Sequence, residues 1–342
     1  RDSIIPGAIL ILLGLGYWAG GNPILLDMSW DKLVPDMSNF NNLVLAASIF
    51  LFYAGMEMSA VHVKDVNNPG RNYPLAILIS AIITVLIFVL GTLAIGFIIP
   101  NSQINLVQSL LITYDSYFSF FGLGWMNWIL ALALAVGVLA QVTAWVGGPS
   151  KGLYQVGLAG NLPPVMQKRN KNNVQMGILL IQGGIVTLLS IMFVIMPSVQ
   201  SAYQIISQLT IILYLIMYML MFASGIYLRY REPNTPRTFR IPGGRTFGMW
   251  VVGGLGLLAS LAAFLVSFIP PNQITVGSST MYVLLLVVGT FIFAGIPFII
   301  HAMAKPSWKR PVDPEDAFEP FGWEKSNGSH SAATPSHSIS HE

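Results

Sequence analysis

The sequence predicts an all-α polytopic membrane protein, and three observations carry that prediction. Of 342 residues, 54% are apolar and only 9% charged, against about 25% charged in an ordinary soluble domain. Apolar runs of membrane length recur along the whole chain, which makes it one membrane unit and not two soluble domains. Once those runs are laid out as alternating spans, every Lys and Arg except Lys32 falls on one side.

The spans lie at roughly 4–20, 43–61, 75–99, 125–148, 174–196, 202–228, 248–269 and 281–303. With the first residue cytoplasmic, the loops 62–74, 149–173 and 229–247 and the tail are inside. Of the 17 basic residues only Lys32 is then outside, among Asp27, Asp31 and Asp36. That asymmetry supports eight spans and a cytoplasmic C-terminus. The first run competes with a secretory leader, but no small-residue cleavage site follows Tyr17 and Trp18, and further spans come after it. Loops 197–201 and 270–280 read as tight hairpins, and 100–124 as a longer outside connection. From 305 the composition turns to Pro, acidic residues, Ser and His, so a disordered cytoplasmic tail is expected over 305–342.

The same composition closes off several classes of function. With no cysteine there is no thiol chemistry. The net charge of +3 is scattered over short loops, which argues against a nucleic-acid partner. No metal-ligand spacing, Ser/His/Asp set or paired carboxylates appear, so neither a metal, a cofactor nor an enzyme is expected. The partners implied are the lipid bilayer and a small molecule. Gly253-Gly254-Leu255-Gly256 sits mid-span and reads as a helix-packing motif.

Glu57 is the one acidic residue inside an apolar run of membrane length. A carboxyl in hydrocarbon costs at least a few kcal/mol, so it faces a cavity, a partner or a water path. Gly55, two residues earlier, permits backbone that leaves the helix, and a broken membrane helix exposes amides and carbonyls to a charged substrate. A continuous helix with Glu57 bonded to its neighbour is the alternative. Asn68-Pro69-Gly70-Arg71 reads as a turn, with Pro74 starting the next helix. On span 125–148, Gly137, Gln141 and Trp145 recur at i, i+4 and i+8. Trp145 is either a gate or platform, or an interfacial belt residue. On span 202–228, Ser207, Thr210, Tyr214 and Tyr218 make one polar face, which serves a substrate path or interhelical bonding.

These residues resemble a family. Gly55-Met56-Glu57 followed by Asn68-Pro69-Gly70-Arg71-Asn72-Tyr73-Pro74-Leu75-Ala76 is similar to the sixth helix and following loop of the amino acid–polyamine–organocation transporters. Gly147-Gly148-Pro149-Ser150-Lys151-Gly152-Leu153-Tyr154 resembles the end of that family's eighth helix. Arg237-Thr238-Phe239-Arg240-Ile241-Pro242-Gly243-Gly244 and Ser267-Phe268-Ile269-Pro270-Pro271 are similar to its bacterial glutamate/γ-aminobutyrate antiporter branch.

The resemblance implies a twelve-helix, LeuT-like fold of inverted repeats working by alternating access. The eight spans match helices five to twelve, and helices one to four are absent from this chain. It further implies a bacterial cytoplasmic-membrane location and amino acid substrates, with glutamate exchanged for γ-aminobutyrate or a related amino acid. Arginine/agmatine-like or broader exchange differs only in pocket chemistry, and a non-transporting membrane fragment is the reading from another class.

By the same resemblance, Tyr53, Gly55, Met56 and Glu57 form the sixth-helix break, Trp145 is a gate, and Tyr214, with Tyr218 second, lies on the substrate path. Gln141 stands where that branch carries an acidic residue, and would read the substrate side chain. The branch also uses its C-terminal segment as a pH-released plug. His330, His337 and His341 in the tail gain charge as pH falls; a solvated tail is the default reading, and a similar plug is the alternative.

Overall fold

In the computed structural model, every regular element among the described residues is helical. Those residues are 4–29, 42, 44, 46, 49, 55–105, 108–235, 237, 239–244, 246–271 and 278–310. The helices are α1 (Ile4–Ala19), α2 (Pro69–Ile98), α3 (Ser109–Phe120), α4 (Asn127–Val156), α5 (Met176–Ser190), α6 (Val199–Arg231), α7 (Phe247–Val266) and α8 (Ser279–Ala302). A further turn, Met192–Ile195, prolongs α5. Between α1 and α2 a 3₁₀ helix runs over Met56–Asp65.

Among the described residues, six helical segments are long and apolar enough to cross a membrane: α2, Gly124–Asn161, Met176–Ile195, α6, α7 and α8. The sequence predicts eight spans. Of the other two, α1 is apolar but only 16 residues long. The span expected at 43–61 lies mostly outside the described residues as far as 54. Leu78, Ile82, Leu86 and Val89 of α2 are exposed at helical spacing, a surface that suits lipid rather than water.

The α6–α7 pair packs through small residues, as the sequence motif suggested. A Cβ on Gly256 would lie 2.5 Å from the Phe222 ring, and one on Gly253 would meet Met249 and Ile226. The glycines of α7 therefore make room for side chains of α6, Phe222 and Ile226, to pack against its backbone. On another face of α6, Ile205, Leu209 and Ile212 bury against Tyr282 and Leu286 of α8.

Residues 100–124, read from the sequence as a connecting loop, contain α3. With Ser109, Thr113, Asp115, Ser116 and Ser119 among its 12 residues, α3 is too short and polar to register as a span. Its signal is instead the triplet Tyr114, Tyr117 and Phe118, all buried in a cluster with Leu10 and Tyr17 of α1 and Ala94 and Phe97 of α2. Tyr117 donates to the Ala94 carbonyl at 2.5 Å and packs edge-on against Tyr17, with centroids 5.8 Å apart. Tyr114 donates to the Pro6 carbonyl, and burial pushes its hydroxyl up to about 12.

Helix ends depart from the sequence reading at three prolines. α2 starts at Pro69, with Asn68 left-handed (φ 51°) before it, and Pro74 sits inside the helix. α4 runs through Pro149 to Val156 instead of stopping at 148. A proline removes one backbone bond, and here the surrounding turns carry the helix past it. The tail also begins later than expected. Pro306–Trp308 forms a 3₁₀ turn, and Gln167 Nε2 donates both to the Leu162 carbonyl (2.7 Å) and to that of Trp308 (2.9 Å). Residues 311–342, with His330, His337 and His341, lie outside the described residues.

Candidate functional site

The site forms where the 3₁₀ helix Met56–Asp65 begins. Gly55 is left-handed (φ 95°, ψ −2°) and caps that helix. A residue with Cβ is strained in this conformation. Space gives a second reason for glycine: a Cβ here would overlap the ring of Trp145 on α4. A 3₁₀ helix of ten residues is long for its kind, since such runs seldom exceed three or four residues. From Met56 the chain is therefore in 3₁₀ and not α geometry, beside the glycine where the sequence suggested a break.

Glu57 sits in the first turn of this helix, where the amide dipoles favour negative charge. Its Oε2 accepts from the Gly55 backbone N–H at 3.2 Å and from the Tyr218 hydroxyl of α6 at 2.9 Å. Its Oε1 is buried and has no hydrogen-bond partner among the described residues. Tyr218 and Tyr214 are tilted neighbours with ring centroids 5.9 Å apart. Tyr214 in turn meets Trp145 edge-on at 6.4 Å. A continuous arc therefore runs from Glu57 through Tyr218 and Tyr214 to Trp145 and back to Gly55.

Chemically, Oε1 is a buried acceptor with no partner among the described residues, on the carboxyl whose other oxygen is bonded to Tyr218. It suits an ammonium group or a proton, and the rings suit the cation's apolar or charged surface. Met56 lies between Gly55 and Glu57, and its carbonyl accepts from the Ser59 hydroxyl at 2.8 Å. Ser59 is also 3.1 Å from the Tyr73 hydroxyl of α2, which ties the 3₁₀ helix to the next span.

The structure brings together Gly55, Met56, Glu57, Trp145, Tyr214 and Tyr218. Tyr53 lies outside the described residues. Gln141, one turn before Trp145, takes no part in the contacts around Glu57. It lines a mostly apolar cavity of about 410 Å³ with Pro6, Leu10, Tyr114 and Gly137. Between the two tyrosines the sequence favoured Tyr214, but Tyr218 makes the bond to Glu57 and Tyr214 the contact to Trp145. Thr210 donates to the Ile206 carbonyl of its own helix (2.9 Å), which satisfies its hydroxyl locally. Sequence reasoning passed over Gln204 and Gln208, both buried on α6. Their signal was two amides at i and i+4 in an apolar span.

The chain is 36% identical over 297 residues to an uncharacterized transporter of Legionella pneumophila, covering 87% of this chain and 64% of that protein. It is 33% identical over 303 residues to a glutamate/gamma-aminobutyrate antiporter of Lactococcus lactis, covering 88% and 60%. A Lactococcus lactis protein named "Probable agmatine/putrescine antiporter" is 24% identical over 238 residues, covering 68% and 50%. The chain spans less than two thirds of the length of each of these relatives. Residues 3–293 match the amino acid permease family. The chain belongs to the amino acid permease family.

Proposed function

We propose that the protein is an amino acid antiporter of a bacterial cytoplasmic membrane. It exchanges a glutamate-like amino acid for γ-aminobutyrate or a related amino acid by alternating access, with proton linkage through Glu57. The observation that carries this reading is the buried carboxyl oxygen of Glu57, on a 3₁₀ helix and without a partner among the described residues; the carboxyl's other oxygen bonds Tyr218, which leads through Tyr214 to Trp145. The name of the Lactococcus lactis antiporter supports the substrate pair.

In this scheme the eight spans correspond to helices five to twelve of an inverted-repeat transporter, with the C-terminus cytoplasmic. Gly55 and Glu57 hold the break, and Trp145 and Tyr214 gate the path. The tail histidines act as a pH-released plug, and deleting 311–342 should then shift the pH profile of uptake. A second reading, exchange of arginine- or agmatine-like cations, is favoured by the other relative's name.

The deciding experiment is counterflow with the full-length gene product in liposomes. Glutamate, glutamine, γ-aminobutyrate and arginine are offered at acidic and neutral pH. Exchange of glutamate for γ-aminobutyrate is expected. Exchange of arginine alone selects the second reading, and exchange of none refutes both.

A further inference from the structure

Outside the Glu57 site, a concavity rich in positive charge lies where α6 ends. A cavity of about 680 Å³ is lined there by Arg229, Pro233, Asn234, Arg237, Arg240, Ile241, Pro242 and Gly244. The lining holds three guanidinium groups and no carboxylate. The groups are not equivalent. Arg237 is committed to the fold: Nη2 donates to the Leu228 and Glu232 carbonyls (3.2 and 2.8 Å) and Nη1 to that of Thr235 (3.1 Å). It thereby closes the carboxyl end of α6, whose last carbonyls have no partner within the helix. Arg229 comes from the last turn of α6 and Arg240 from the returning chain, and these two bring charge that α6 does not need for its own end.

A second observation places this cavity at a membrane surface. Trp250 Nε1 donates to the Tyr230 hydroxyl at 2.7 Å, while both rings are more than half exposed. A paired Trp and Tyr with apolar bodies outward and polar tips joined is the arrangement found at headgroup level. Phe239 and Phe247, which flank the lining in sequence, are 49% and 71% exposed. Cations near exposed aromatic residues, in a pocket formed by the end of α6 and the loop that leads to α7, match the chemistry of a lipid phosphate.

We infer that this cavity takes the phosphodiester of an anionic phospholipid headgroup, with Arg229 and Arg240 as its ligands and Arg237 as the group that shapes it. A free phosphate ion would use the same guanidinium groups but would leave Phe239 and Phe247 uncovered, whereas a lipid brings acyl chains for them. The inference does not rest on the transport reading.

Native mass spectrometry of the detergent-solubilised protein tests it. The protein is offered phosphatidylglycerol, phosphatidylcholine of matched chains, and inorganic phosphate in turn. Preferential retention of phosphatidylglycerol is expected. Arg240→Gln should lower that retention about fivefold, and Arg229→Gln with Arg240→Gln about twenty-five-fold. Arg231→Gln, which removes a nearby charge that is not in the lining, should leave the preference intact. Arg240 lies on an exposed loop, so its single variant decides the matter even where the double variant folds poorly. Equal retention of the two lipids, or a preference unchanged in Arg240→Gln, overturns the inference. Displacement of the lipid by millimolar inorganic phosphate, with no preference between headgroups, assigns the cavity to the free ion and overturns the lipid.

Discussion

Tyr218 donates a 2.9 Å hydrogen bond to the carboxyl of Glu57 from 161 positions away in the chain. This contact joins the 3₁₀ helix after Gly55 to α6, the most heavily buried of the candidate spans. A hydrogen bond to a charged group contributes about 1.5–3 kcal/mol. Glu57→Gln should abolish exchange or flatten its pH dependence, and Tyr218→Phe should lower exchange by roughly 10- to 100-fold. In a double-mutant cycle read by initial uptake rates, the two losses should be strongly non-additive. Additive losses would mean that the bond has no functional weight.

Gly55→Ala should damage the site through two separate routes. The left-handed backbone costs a residue with Cβ about 1–2 kcal/mol, and the new methyl overlaps the Trp145 ring. Lower thermal stability and lost uptake are expected together. Adding Trp145→Ala removes the overlap but not the backbone strain, so stability should recover in part. Full recovery would show that steric contact alone requires glycine.

Gly256→Leu tests the close approach of α6 and α7. Overpacking of this kind costs about 1–3 kcal/mol. A fall in the melting midpoint in detergent is expected, with partial rescue by Phe222→Ala, because that ring occupies the space beside Gly256. A melting midpoint unchanged from the parent would mean that the two helices separate easily.

The buried hydroxyl of Tyr114 predicts alkaline sensitivity. Its folded value of about 12 lies above the unfolded value of 10.0, so the folded state holds this proton more tightly. Its contribution is fully present below pH 10 and is lost as pH rises toward 12. The melting midpoint of Tyr114→Phe should fall less steeply over that interval than the parent's. Identical slopes would show that Tyr114 ionises no differently in the two states.

Much of this architecture was legible because hydrocarbon is a severe solvent. Long apolar helices, the lone carboxyl at Glu57 and the small residues around Gly256 all follow from what a bilayer tolerates. α3 was not legible by that route, since Tyr114, Tyr117 and Phe118 bury against protein and the helix is half polar. The order of Tyr214 and Tyr218 was equally hidden. They lie on one face at i and i+4, and only the position of the 3₁₀ helix decides which reaches Glu57. Nor did periodicity disclose the docking of Trp308 on Gln167, because a backbone carbonyl leaves no mark in the sequence.

The ten residues Met56–Asp65 also hold a length reserve. A 3₁₀ helix rises about 2.0 Å per residue and an α-helix about 1.5 Å. Winding this stretch into α geometry would shorten it by about 5 Å. One end is tied through Glu57 to Tyr218 on α6, and the other continues through Val66–Asn68 into α2. Such a rewinding would act as a short lever, pulling α2 toward α6 or tearing the carboxyl from its tyrosine.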